Sequence, residues 1–212
     1  MRTISILAAI LFTVAGFAQT DQKAKDILDR ASAKIEGYNT LTIKFGVTIT
    51  GQDDPISQKG TLYLKGEMYK LAMTDQEVYC DGINITTYLI EDVECYKSKV
   101  EDLEEDEMMS PEDLLTLYEE GYKLRYDGEQ EYAGEMCHVI FLYPKDPKDA
   151  QFHTVKMLVN IERDEVVYAY LKGKDGTNMK YKLVSMERDL EMSDDMFSFD
   201  YDAHPEVECY DE

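Results

Sequence analysis

The chain has 212 residues, with 44 Asp and Glu against 22 Lys and Arg, for a formal net charge of −22. A field of that sign repels phosphate backbones and anionic headgroups, which disfavours nucleic-acid binding and polybasic-type membrane binding. Apolar residues make up 44% and are well distributed, so this is a folded composition and not a disordered one.

The chain opens MRTISILAAILFTVAGFAQT. Arg2 is a positive n-region, and Ile4 to Val14 form an apolar stretch too short to span a bilayer comfortably. Gly16 and Ala18 are the small residues that signal peptidase needs before a cut at Gln19. Residues 1–18 therefore read as a cleavable signal peptide. A lipid anchor would need a cysteine after the cut, and position 19 is Gln. The expectation is an exported, soluble chain forming one domain over residues 19–212.

Asp21 can cap a helix over about 22–36, in which Ala24, Ile27, Leu28, Ala31 and Ile35 share a face and Gly37 is the stop. Leu41, Ile43, Phe45, Val47 and Ile49 then alternate with polar or small residues, the pattern of a half-buried strand. Short strands are expected at 59–65, 68–74, 76–80, 83–90 and 93–99. Gly66-Glu67, Asp81-Gly82 and Glu91-Asp92 provide the turns. After an acidic interruption, Ser110-Pro111-Glu112-Asp113 is a strong helix start, and Leu114, Leu115, Leu117 and Tyr118 give that helix an apolar side. Strands resume at about 122–127, 130–133, 136–143, 152–161, 165–172 and 177–187. A helical turn near Ser193 to Met196 leads to a C-terminal extended segment. The fold class is α+β and mostly antiparallel β: a strongly curved sheet or incomplete barrel, with two helices available to plug its concave face.

Catalytic chemistry finds no support. His138, His153 and His204 lack metal-motif neighbours, and His138 and His153 read as partly exposed strand residues. There is no GxSxG, phosphate loop or GxGxxG. The acidic run Glu101, Asp102, Glu104, Glu105, Asp106 and Glu107 lacks the central glycine of a calcium loop and reads as a solvated loop. No enzyme activity, metal or cofactor is expected. Cys80, Cys95, Cys137 and Cys209 allow two disulfides in three pairings; Cys80 and Cys95 fall out of register on neighbouring strands, and no pair is singled out.

What remains is an apolar face. Leu41, Ile43, Phe45, Val47 and Ile49 share it with Leu62, Leu64, Tyr69, Leu71 and Met73 of the next hairpin. From periodicity alone this is a filled core. The 11 methionines of the chain also leave room for an adaptable lining.

Several stretches, in order, resemble the periplasmic outer-membrane lipoprotein carriers of the LolA type. They are Ile35-Glu36-Gly37-Tyr38-Asn39-Thr40-Leu41 leading to Phe45, Lys59-Gly60-Thr61-Leu62-Tyr63-Leu64-Lys65, and Tyr79-Cys80-Asp81-Gly82 with Thr87-Tyr88. Ser110-Pro111 with two leucines follows, then Phe197-Ser198-Phe199-Asp200 with His204-Pro205-Glu206-Val207-Glu208. The resemblance implies an unclosed half β-barrel with a helical lid (Leu114, Leu115, Leu117, Tyr118) over an apolar cavity lined by the ten residues above. It also implies a monomeric, non-enzymatic periplasmic carrier that is not stably membrane-bound. Its partners would be acylated lipoproteins or lipids, an inner-membrane ABC transporter that releases them, and an outer-membrane receptor lipoprotein. The alternative is a sensory or peptide-binding periplasmic module using the same half-barrel. The chain departs from the pattern in having Lys65-Gly66-Glu67-Met68 where an arginine ties down the lid; none occurs between Arg30 and Arg125. The hairpin tryptophan is also missing. Lid closure is then expected to rest on apolar packing.

Overall fold

The computed structural model describes residues 7–51, 54–102, 118–119, 121–148 and 150–211, with side chains described from Asp21 onward. A long helix, α1 (Leu7–Glu36), precedes β1 (Leu41–Thr50), β2 (Ile56–Lys65), β3 (Met68–Ala72), β4 (Gln76–Cys80), β5 (Asn84–Leu89) and β6 (Glu94–Lys99). After the helix expected near residue 111 come β7 (Tyr122–Tyr132), β8 (Glu135–Pro144), β9 (Phe152–Asn160), β10 (Glu165–Gly173), β11 (Asn178–Arg188) and β12 (Glu208–Asp211). The start of that helix and its lid residues Leu114, Leu115 and Leu117 lie outside the described residues, as do Glu104 to Glu107.

The hydrogen-bonded order is β12-β6-β5-β4-β3-β2-β1-β11-β10-β9-β8-β7, an unclosed sheet whose end strands are β12 and β7. It is mostly antiparallel, as the alternation predicts; β12 runs parallel to β6. Two expectations are corrected. Residues 122–127 and 130–133 form the single strand β7, because the shift between Tyr126 and Glu129 is absorbed as a bulge at Gly128, whose φ is 96°. Asp21 does not cap the first helix, which is already helical from Leu7; the apolar segment before it is rich in alanine and leucine and continues the helix.

The chain divides into two compact units, one of residues up to Lys34 with Glu112–Lys180, the other of Ile35–Pro111 with Tyr181–Glu212. In the first, Ala24, Ile27, Leu28 and Ala31 of α1 are buried, as their helical spacing predicts. Lys23 lies over the Tyr126 ring at 3.8 Å and Arg30 reaches Asp164 at 3.2 Å, which fixes α1 to β7 and to the β9–β10 turn. In that turn Asn160 Oδ1 accepts the Glu162 and Arg163 amides, and the Arg163 guanidinium joins Glu135 to Glu165. Asn160 and Glu165 are buried, and these bonds offset the free-energy cost of burying them.

The second unit is built on β1–β6, and its register sets the faces. Leu41 opposes Leu64, which opposes Tyr69, which opposes Cys80, which opposes Ile85. One step along, Ile43, Leu62, Leu71 and Val78 form a second row. Both rows point to one side of the sheet because side chains alternate with period two. On the opposite side sit Tyr79 and Tyr88, covered by Phe199 and, at the edge, by Val207 and Cys209 of the C-terminal segment.

Candidate functional site

All ten residues expected to line a cavity come together in the second unit. Leu41, Ile43, Phe45, Val47, Leu62 and Leu71 are buried in one cluster with Val78, Cys80 and Ile85; Ile49, Leu64, Tyr69 and Met73 pack against it partly exposed. Sequence reasoning missed the buried members Val78, Cys80 and Ile85 of β4 and β5, and also Tyr181, Leu183 and Met186, which join from β11. Tyr181 and Leu183 alternate with Lys182, but the exposed Val184 and the polar Ser185 blur that pattern and Met186 falls out of phase with it. What was absent was any local cue that β11 lies beside β1, a pairing of strands far apart in sequence. Ile35 and Tyr38, at the end of α1 and just after it, complete the rim.

Gly60 is directly opposite Phe45, and a Cβ on it would overlap the Phe45 ring. The ring thus lies flat over the glycine, which explains why a strand interior tolerates the residue at all. Cys80 is a free, buried thiol on this face, and burial pushes its pKa up, so it behaves as a small apolar side chain. The cluster therefore presents carbon, sulfur and aromatic edges, and none of its members is an ionised group that could do acid–base work.

The expected lid residue Tyr118 belongs to the first unit. It is buried, and its hydroxyl donates to Asp29 Oδ1 of α1 at 3.0 Å. Burial, and then that carboxylate, push its pKa up to about 12, so it remains a neutral donor.

Near the position where the family pattern places an arginine, Lys65 ends β2. Its ammonium donates to the Met192 carbonyl at 2.7 Å and to Asp194 at 2.6 Å. The cation here ties down the C-terminal segment. Thr40 adds a second tie, its hydroxyl donating to the Leu190 carbonyl at 2.6 Å.

On the other side of this unit lies a cleft of about 400 Å³ lined by Tyr79, Asp81, Asn84, Thr86, Lys97, Lys99, Phe199, Tyr201 and Asp211 among others. Asp81 is committed to its turn: its carboxylate accepts the Ile83 and Asn84 amides at 2.9 and 2.7 Å. The Asn84 amide above all holds its pKa below the usual carboxylate range. Cys95 and Cys209 form a disulfide with Cα atoms 4.4 Å apart, joining β6 to β12. Cys80 of β4 sits opposite Ile85 of β5, and β5 separates it from Cys95 of β6, so the two cysteines do not lie on neighbouring strands, contrary to expectation.

Two histidines differ from each other. His153 is exposed, while His138 is buried, contrary to expectation, because Tyr126 and α1 cover its side of the sheet. Among the described residues no group of three or more His, Cys, Asp or Glu is placed to hold a metal ion.

The class of protein these elements define is an unclosed, mostly antiparallel sheet that carries an apolar cluster on one face. Solved structures agree at the level of the fold. An uncharacterized conserved protein from Thermus thermophilus aligns with a TM-score of 0.60 at 10% identity, over 90% of this chain and 99% of that one. A DUF1329 family protein from Desulfovibrio piger aligns at 0.50 and 14%, over 87% and 99%. Lipoprotein LppX of Mycobacterium tuberculosis aligns at 0.50 and 15%, over 80% and 99%. No family model and no curated protein matches the sequence. Identities this low establish a shared fold and nothing finer.

Proposed function

We propose that the chain is an exported periplasmic carrier that shields the acyl chains of lipoproteins or lipids on the apolar face of its second unit. The observation that carries this reading is the convergence of the ten expected residues, with Tyr181, Leu183 and Met186, into one apolar cluster whose rim is partly exposed. Enclosing an acyl chain of about 16 carbons is worth on the order of 12 kcal/mol at roughly 0.8 kcal/mol per CH₂. A surface that buries part of such a chain therefore has ample driving force, and displacement of whatever covers the face lowers the net affinity enough for release. The Cys95–Cys209 disulfide supports export, because such bonds persist in oxidising compartments. Receipt from an inner-membrane ABC transporter and handover to a receptor lipoprotein belong to the same reading.

The test is titration with a fluorescent fatty acid. Phe45→Asp and Val47→Asp place a charge in the cluster and are expected to abolish binding. Because both positions are buried, Leu64→Asn and Met73→Asn at the partly exposed rim serve as the milder pair, expected to weaken binding at least tenfold, or about 1.4 kcal/mol. Wild-type affinity in rim variants with an unchanged thermal melt would sink the assignment of this face.

A further inference from the structure

The outward side of the first unit's strands carries a concentration of cations that the overall charge conceals. Register places Arg125 of β7 opposite Phe141 of β8, Phe141 opposite Lys156 of β9, and Lys156 opposite Tyr170 of β10. Each cation lies against a ring. The Arg125 guanidinium is 5.0 Å from the Phe141 centroid and 5.4 Å from that of Tyr143, and Lys156 is 6.0 Å from Phe141. Lys172 and Lys180 lie 5.7 and 5.6 Å from Tyr170. Arg125, Lys172 and Lys180 are exposed. Among the described residues one acid forms an ion pair with the row, Asp127, 3.4 Å from Arg125. Lys156 also donates to Gln130, a neutral partner that leaves its charge uncompensated.

Nothing in the acyl-carrier reading uses this face, since the apolar cluster belongs to the other unit. Rings beside the cations favour their place on this face, where Arg125, Lys172 and Lys180 stay exposed. Screening makes the arrangement effective in an acidic protein: beyond about 8 Å at physiological ionic strength, the acids elsewhere are largely masked. The row crosses five strands, β7 to β11, roughly 19 Å at the usual strand spacing, instead of following one strand. It is a face and not a groove, and two of its rings, Tyr143 and Tyr170, are of the aromatic type whose polar end suits the headgroup level of a bilayer.

We propose that this cation–aromatic row docks the protein reversibly on the surface of a bilayer rich in anionic phospholipid. The proposal does not depend on what the apolar face carries. The test is sedimentation of the full chain with vesicles of phosphatidylglycerol or of phosphatidylcholine. Phosphatidylglycerol vesicles are expected to bind at least tenfold more tightly at physiological ionic strength, where the acids elsewhere are screened, and the difference should vanish in about 0.5 M salt, where the Debye length falls to a few ångströms. The double variant Arg125→Glu/Lys172→Glu should lose that binding, while Lys25→Glu/Lys99→Glu, with the same change in net charge, should keep it. Equal binding to both vesicles, no binding to either, or equal loss in the two variants would overturn the proposal. So would capture by polyglutamate beads without vesicle binding, which would make the row a site for acidic polypeptide.

Discussion

His138 shows how a single buried side chain shapes the pH behaviour of the chain. It is buried beside Tyr126, whose hydroxyl lies 3.3 Å from Nδ1, and Glu129 stands 3.7 Å away. Burial pushes its pKa below the ordinary value of about 6.5; Glu129 and Asp164 oppose that shift, and Lys23 and Arg30 add to it. The unfolded chain therefore takes up a proton on this side chain at a higher pH than the folded chain. Its contribution to stability is fully present above about pH 6.5 and is lost as pH falls through the folded value. Urea unfolding is expected to show stability declining between about pH 7 and pH 5, and His138→Gln should flatten the decline in that window. An unchanged slope would show that the acid sensitivity arises elsewhere. The carboxyls of Asp81, Glu135 and Asp175, held below their usual range, act at lower pH and do not mimic this signature.

Among elements, β12 is held by means unlike those of the other strands. It has four residues, pairs parallel to β6, and exposes most of its side chains. So short an edge strand has little pairing energy of its own. The bond from Cys209 to the fully buried Cys95 closes a loop spanning 114 positions, so its removal should cost on the order of 2–5 kcal/mol. Cys95→Ser is expected to lower the urea midpoint and to speed amide exchange in β12 and β6 ahead of β1 to β3. Uniform exchange across the unit would show instead that β12 is held by its packing on Tyr88 and Phe199. The existence of β12 was hardly legible in the sequence, because Glu208–Asp211 has neither length nor alternation, and its parallel pairing depends on a strand 114 positions away. By contrast β1 was plain, since five apolar residues at spacing two allow one reading. The bulge that unites β7 was hidden because Gly128 looks like a turn residue until its neighbours are seen to stay paired.

At the scale of the whole molecule, the motifs that carried the family resemblance are positions of turn and packing. Gly60 makes room for the Phe45 ring, Asp81 and Gly82 close the β4–β5 hairpin, and Phe199 packs on Tyr79 and Tyr88. Asp200 caps the next turn by accepting the Asp202 and Ala203 amides. Such residues specify a backbone, which is why the fold and the apolar face could be read from the sequence while the cargo could not. The cargo depends on how the apolar rows are covered and on what their rim admits, and neither has a short motif. The central claim, that this face holds acyl chains, is tested most directly by mass spectrometry of organic extracts from the protein isolated from its native envelope. The account predicts acyl lipid or acylated lipoprotein bound near stoichiometrically, and depleted in Leu64→Asn. A lipid-free protein that instead captures a polypeptide would contradict it.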